Sequence, residues 1–393
     1  MYQLVIIGAS PEGLKTARSC VEQYPSARIA LVTHGWEEAF SGDRHNGLAA
    51  ESFWENLRLL AAQGADVVIE KGIFSQPSSG LVYQTEKRTL LGENYLLTSV
   101  KNVLAVPGQI PDNAMPQRWA IVGALPENLV LAQELTKRGH GVTILSRNNH
   151  LLPGEDREMT SLLQCYLASL GIAFYCNYSN LVSHHDQCNQ TYTLQFNQGN
   201  DTPQQCLQQC LEVDNLIHQW RSPECQNLLA RLPEFNQALK ESSYLSVNHH
   251  LQTAQGQIYA CGNWLKGYHA DAIAYREAQY VVQRVLGKQT NPIDYSQMSF
   301  TIDLDPPWCR IGTFANSDSH RQIIRGFEPY TDHCNLRGMY KLVIDRQDRI
   351  VSAHWFGQRA REGMTLLQLA IAKGITWTEL RSLPPWEDGQ VSY

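Results

Sequence analysis

The most constraining feature of the chain is its start. The apolar run Leu4-Val5-Ile6-Ile7 ends on the turn Gly8-Ala9-Ser10-Pro11-Glu12-Gly13 and passes into Leu14, Ala17 and Val21 at helical spacing. A strand that turns tightly into an amphipathic helix, followed by the apolar run Ile29-Ala30-Leu31-Val32, predicts a β-α-β crossover and a parallel sheet. The pattern restarts at Trp119-Ala120-Ile121-Val122-Gly123, with a helix expected over 127–138 and a strand at Val142-Thr143-Ile144-Leu145. Two such units in 393 residues imply more than one core, because single cores stop growing beyond ~250–300 residues.

Between and after these units the signals are shorter. Extended runs at Val67-Val68-Ile69, Leu81-Val82-Tyr83 and Val103-Leu104-Ala105-Val106 predict a small β-meander, and the Gln- and Asn-rich stretch near 183–213 predicts a solvated hairpin. Ile258-Tyr259-Ala260-Cys261-Gly262 and a helix over 271–286 predict a return to the first sheet. Beyond 291, the strand Lys341-Leu342-Val343-Ile344 and a helix over 363–373 predict an α+β terminal domain. The expected division is 1–115 with 241–290 for the first domain, 116–240 for the second and 291–393 for the last.

Composition narrows the partners. A net charge of -6 offers no basic footprint for nucleic acid, so a nucleic-acid partner is not expected. Charge, Pro or Gly soon breaks every hydrophobic run, leaving none near the ~18 residues of a membrane span. The start lacks the basic and apolar regions of a signal peptide, and the ten cysteines lack metal-ligand spacing, so reduced thiols in a cytoplasmic protein are expected. Cys206 and Cys210 form the one close pair, too little for a zinc site, while His184-His185 and His249-His250 are adjacent and would point to opposite faces of a strand. No metal site is expected. Trp308, Trp355, Trp377 and Trp386 gather in the terminal region, where burial or a dimer contact would use them and an exposed cluster would mark a protein partner.

Gly8-x-Ser10-x-x-Gly13 nearly matches the dinucleotide fingerprint, in which the first glycine makes the turn, the second lets backbone approach a pyrophosphate and the third lets helix and strand pack closely. With Leu151-Leu152-Pro153-Gly154-Glu155-Asp156 after the second unit, Asp214 to Pro223, and Ile258 to Asn263, the order of motifs resembles the pyridine nucleotide-disulfide oxidoreductase family. The resemblance covers nearly the whole chain. It implies an α/β fold of two Rossmann-like nucleotide-binding domains, FAD type and NAD(P) type, with a C-terminal α+β interface domain that forms a homodimer. FAD would then meet Gly8, Ser10, Gly13, Thr33, Gly262 and Asn263, and NADP(H) would meet Gly123, Ser146 and Arg147.

Departures from the family fall on its chemistry. Arg44 and Ala49 stand at the two redox cysteines, and neither replaces a thiolate, so disulfide exchange is excluded. Phe53 and Val130 replace the lysine beside the flavin and the glutamate that pairs with it. The second fingerprint, Gly123-Ala124-Leu125-Pro126-Glu127-Asn128, has lost two glycines, and Trp220 before Arg221-Ser222-Pro223 fills a place that the family leaves to glycine. NADP(H) binding is therefore expected to be weak or absent. For FAD, Thr33 replaces an acidic residue and Asn263 an aspartate, each a weaker but usable partner, so retention stays open. The C-terminal acid-base pair is missing from Leu383-Pro384-Pro385-Trp386-Glu387-Asp388. Two readings follow: a pseudoenzyme, a dimeric protein for binding, assembly or regulation with no catalytic residues of its own, or an FAD-dependent NAD(P)H oxidoreductase with a non-disulfide acceptor.

Overall fold

The computed structural model describes residues 1–33, 47–78, 80–99, 115–186, 188–199, 207–218, 228–229, 231–232, 235, 244–265, 271–312, 322–328 and 338–383. In chain order its elements are β1 (Tyr2–Ile7), α1 (Pro11–Gln23), β2 (Ile29–Val32), α2 (Gly47–Ala62), β3 (Asp66–Val68), β4 (Gly72–Ser75), β5 (Val82–Thr85), β6 (Thr89–Leu90) and β7 (Gly92–Leu97). There follow β8 (Arg118–Val122), α3 (Pro126–Lys137), β9 (Gly141–Ser146), α4 (Arg157–Ser169), β10 (Ala173–Cys176), β11 (Tyr178–Asp186), β12 (Thr191–Gln198), β13 (Leu207–Val213) and β14 (Asn215–His218). The chain ends with β15 (Ile258–Ala260), α5 (Asp271–Val285), β16 (Ser299–Ile302), β17 (Trp308–Gly312), β18 (Gln322–Phe327), β19 (Met339–Ile344), β20 (Ile350–Phe356), α6 (Ala360–Lys373) and α7 (Trp377–Leu380). These form two compact units, Met1–Val103 with Trp220–Ile293, and Leu104–Gln219 with Asp294–Tyr393.

The first unit is built on a parallel sheet of order β15-β7-β1-β2-β3. Leu4 to Ile7 and Ile29 to Val32 are buried throughout, as strands covered on both faces must be. Helix α1 begins where Ser10 accepts the Gly13 N–H and Pro11 fills the first helical position, and its small buried face, Gly13, Ala17 and Cys20, lets it lie along α5. Val67 and Val68, expected in a meander, instead pair with Leu31 and Val32 as the parallel edge. A short apolar run carries no record of which strand it will join, so the grouping was not readable. Leu81 to Tyr83 do lie at the small antiparallel sheet β4-β5-β6, whereas 103–106 lies outside the described residues.

The second unit starts with a parallel sheet of order β10-β9-β8-β14. The polar stretch near 183–213 forms a three-stranded antiparallel sheet, β11-β12-β13, rather than one hairpin. Leu194, Phe196 and Val213 on its inner face pack with Val122, Leu145 and Tyr178, which explains why so polar a segment is ordered. The terminal antiparallel sheet, β16-β17-β20-β19-β18, carries α6 on one face, where Gly363 lets the helix sit directly against Trp355. Trp308, Trp355 and Trp377 are buried, so these three serve packing, while Trp386 lies outside the described residues. Among the described residues no helix is long and apolar enough to cross a membrane.

Candidate functional site

In the first unit the sheet order reverses direction between β1 and β7, and such a switch point is where an open parallel sheet binds a ligand, at the carboxyl ends of its strands. Gly8 closes β1 with φ +113°, and a Cβ there would lie 2.5 Å from Thr98 Oγ1. A Cβ on Gly13 would overlap the Gly8 carbonyl oxygen, so only glycine serves at this helix-strand contact. The Thr98 hydroxyl donates to that same carbonyl at 2.7 Å, tying the end of β7 to the turn. Fully buried Ser10 accepts the Gly13 N–H at 3.2 Å, so the helix start is capped from within. Thr33 follows β2, fully buried, and its hydroxyl has no partner among the described residues.

Two carboxylates complete this crevice, and neither stood out in the sequence. Glu12, 2% exposed, accepts the Ser99 N–H at 2.9 Å, and Glu277, 5% exposed, accepts the Gly262 N–H at 2.7 Å. Gly262 follows β15, and a Cβ there would overlap Ser99 Oγ, while Asn263 beside it is half-buried. The structure thus gathers Gly8, Ser10, Gly13 and Gly262 around Thr98 and Ser99. Burial pushes the Cys261 thiol far up, and the nearby charges of Glu12 and Glu277 push it the same way. Sequence held one signal for Glu12: it stands two places into its helix, as Glu127 does in the second fingerprint.

In the second unit Gly123 closes β8 with φ +108°, and its N–H donates to the Leu145 carbonyl at 2.7 Å. Asn128 takes the third glycine's place, buried, with Nδ2 donating to the Gly123 carbonyl at 3.0 Å and Oδ1 without a partner among the described residues. Leu125 precedes Pro126 at the helix start and makes no side-chain cap. Ser146 ends β9, buried, and accepts the Asn148 N–H at 3.2 Å, while exposed Arg147 lies 5.9 Å from the Tyr178 ring centre. Gly123, Ser146 and Arg147 therefore share one sheet edge.

The positions of the family's chemistry are only partly described. Ala49 lies in α2, whereas Arg44, Trp220 to Pro223 and Pro384 to Asp388 lie outside the described residues. Phe53 is buried and lines a cavity of about 310 Å³ between α1 and α2, with Leu14, Lys15, Arg18 and Asn56. Val130 is half-buried on α3. His184 and His185 are both exposed on β11, His250 Nδ1 lies 2.7 Å from the Tyr280 hydroxyl, and Cys210 is exposed on β13. Cys206 lies outside the described residues. Among the described residues no three His, Cys, Asp or Glu side chains group as a metal site.

Two parallel sheets, each opening on a glycine turn into a helix, define a two-crevice dinucleotide oxidoreductase fold. Residues 118–199 match the model of the pyridine nucleotide-disulphide oxidoreductases. Dihydrolipoyl dehydrogenase of Bacillus subtilis (strain 168) is 23% identical over 300 residues, 74% of this chain and 60% of that protein. Mercuric reductase of Staphylococcus aureus is 23% identical over 284 residues, 68% and 49% of the two chains. The chain thus spans only 60% and 49% of the length of these two relatives. Among solved structures, LpdA from Mycobacterium tuberculosis matches with a TM-score of 0.72 at 17% identity, covering 97% of this chain and 95% of that one. The HOCl-induced flavoprotein disulfide reductase RclA from Escherichia coli matches with a TM-score of 0.70 at 19% identity, covering 98% and 97%. These two show the fold. The chain is thus similar to the pyridine nucleotide-disulphide oxidoreductases, in sequence over 118–199 and in fold over almost its whole length.

Proposed function

We propose that the chain is a family member that does not reduce disulfides and acts by binding, as a cytoplasmic homodimeric scaffold. The observation that carries this reading is that no cysteine stands between Cys20 and Cys165, so the segment leading into α2 has no thiol to exchange. Cys20 cannot substitute, because it is fully buried on α1 and burial pushes its thiol up to about 12, far from the thiolate such chemistry requires. A dimer contact finds support in β18, which stands at one end of the terminal sheet with Ile323 46% and Phe327 38% exposed. The test is NADPH and NADH oxidation by the purified protein with added FAD and either lipoamide or glutathione disulfide. No disulfide-dependent oxidation is expected, and protein-dependent turnover of either disulfide would overturn the reading.

A second reading, NAD(P)H oxidation with a non-disulfide acceptor, is favoured by one feature. Arg147 follows Ser146 at the end of β9 and is exposed beside the Tyr178 ring, offering a cation to a nucleotide phosphate. The same assay with a quinone in place of the disulfide separates the two readings.

A further inference from the structure

A helix start at a switch point binds a dinucleotide because its backbone N–H groups are free and no negative charge competes. The first crevice of this chain departs from both at several of its donors. Pro11 at the first helical position has no N–H, the Gly13 N–H is held by Ser10 Oγ at 3.2 Å, and the Ser99 N–H is held by Glu12 at 2.9 Å. The Gly262 N–H is held by a second carboxylate, Glu277, at 2.7 Å. Glu12 is 2% and Glu277 5% exposed, so both carboxylates are buried beside the donors they hold. The second fingerprint repeats the sequence pattern, since Gly-Ala-Ser-Pro-Glu at 8–12 becomes Gly-Ala-Leu-Pro-Glu at 123–127. There Pro126 again lacks an N–H and Glu127 again stands in the first helical turn.

We propose that Glu12 is a built-in substitute for a cofactor phosphate: its carboxylate holds the backbone donor at the end of β7, and the first unit folds with its dinucleotide crevice closed to FAD. The group that the family implies and the residues present therefore do not fit. A pyrophosphate entering this crevice would meet two carboxylates at close range and would have to displace one from its N–H partner. The inference rests on the resemblance to the family and not on the missing dithiol.

The test is equilibrium titration with FAD of the wild-type chain, Glu12→Gly and Glu12→Gln, read by flavin fluorescence, with near-ultraviolet circular dichroism to confirm folding. Wild type is expected to carry no FAD as isolated and to show no change in melting temperature with the cofactor. Glu12→Gly, which removes the carboxylate and frees the Ser99 N–H, is expected to bind FAD about tenfold or more tightly than wild type. Glu12→Gln removes the charge and keeps the bulk, so a gain there assigns the barrier to charge. Stoichiometric FAD in the wild type would overturn the inference while leaving the absence of disulfide reduction untouched. Folded variants that bind no better than wild type would overturn it too. Should Glu12→Gly fail to fold, wild type and Glu12→Gln still decide.

Discussion

The two fingerprint turns solve the same contact with different residues. In the first, a side chain on Gly13 would overlap the Gly8 carbonyl oxygen, so Gly13→Ala is expected to destabilise the first unit by about 2 kcal/mol or more, measured by urea unfolding. In the second, Asn128 fits by turning Nδ2 onto the Gly123 carbonyl at 3.0 Å. Asn128→Asp replaces that donor by a buried charge facing carbonyl oxygens, and a loss of about 3 kcal/mol is expected. An unchanged urea midpoint in either variant would contradict the packing described. The glycines were legible because a tight turn after an apolar strand requires them. Glu12 was not, because its partner, Ser99, lies on the loop after β7 and only the folded sheet brings the two together.

At the scale of elements, the start of α4 is the docking point of the terminal sheet. Asp156 caps the helix by accepting the Met159 N–H at 3.1 Å and also takes Lys341 at 2.7 Å, with both side chains almost wholly buried. Glu155 meets Arg310 at 2.7 Å and His354 at 2.8 Å, and Glu158 meets Lys341 and Arg325 at 2.9 Å. Removing one member of a buried pair strands the other, so Lys341→Ala is expected to cost about 3 kcal/mol. His354 should also make the second unit sensitive to acid. Burial holds its imidazole below the usual 6.5, against the opposing pull of Glu155, so the unfolded chain takes up a proton that the folded chain resists. Stability is therefore full above 6.5 and declines as pH falls below it, and His354→Gln should flatten the urea midpoint between pH ~7 and ~5. Glu158, held below its usual 4.5 by the hydrogen bond from Arg325, adds a separate loss only below that value. A variant as pH-sensitive as wild type in the upper window would remove His354 from the account. The sequence motif Leu151 to Asp156 was legible as the stretch after the second unit's strand. Its role as a clasp was not, since the partners come from β17 to β20, more than 150 residues onward.

At the scale of the molecule, periodicity and turn chemistry sufficed for the α/β class, because strands covered on both faces and helices with one small buried face write their environment into the chain. The helices over 126–137 and 271–285 fall within a residue of their expected bounds. Strand partnership was not legible where an apolar run was short, as at Val67 and Val68, nor was the order that Leu194 and Phe196 give to a polar stretch. The fold is that of the oxidoreductases it resembles, while the proposed loss of their chemistry rests on the lack of cysteine between Cys20 and Cys165 and on the Glu12 carboxylate at the Ser99 N–H. Analytical ultracentrifugation is expected to show twice the chain mass, and a monomer at micromolar concentration would refute the dimer. The most direct test of the whole account is the visible absorption spectrum of the protein purified from flavin-replete cells, recorded before and after anaerobic NADPH. The account predicts no flavin bands and no change on addition. A flavin spectrum that bleaches with NADPH would contradict it, showing both crevices open and the hydride path intact.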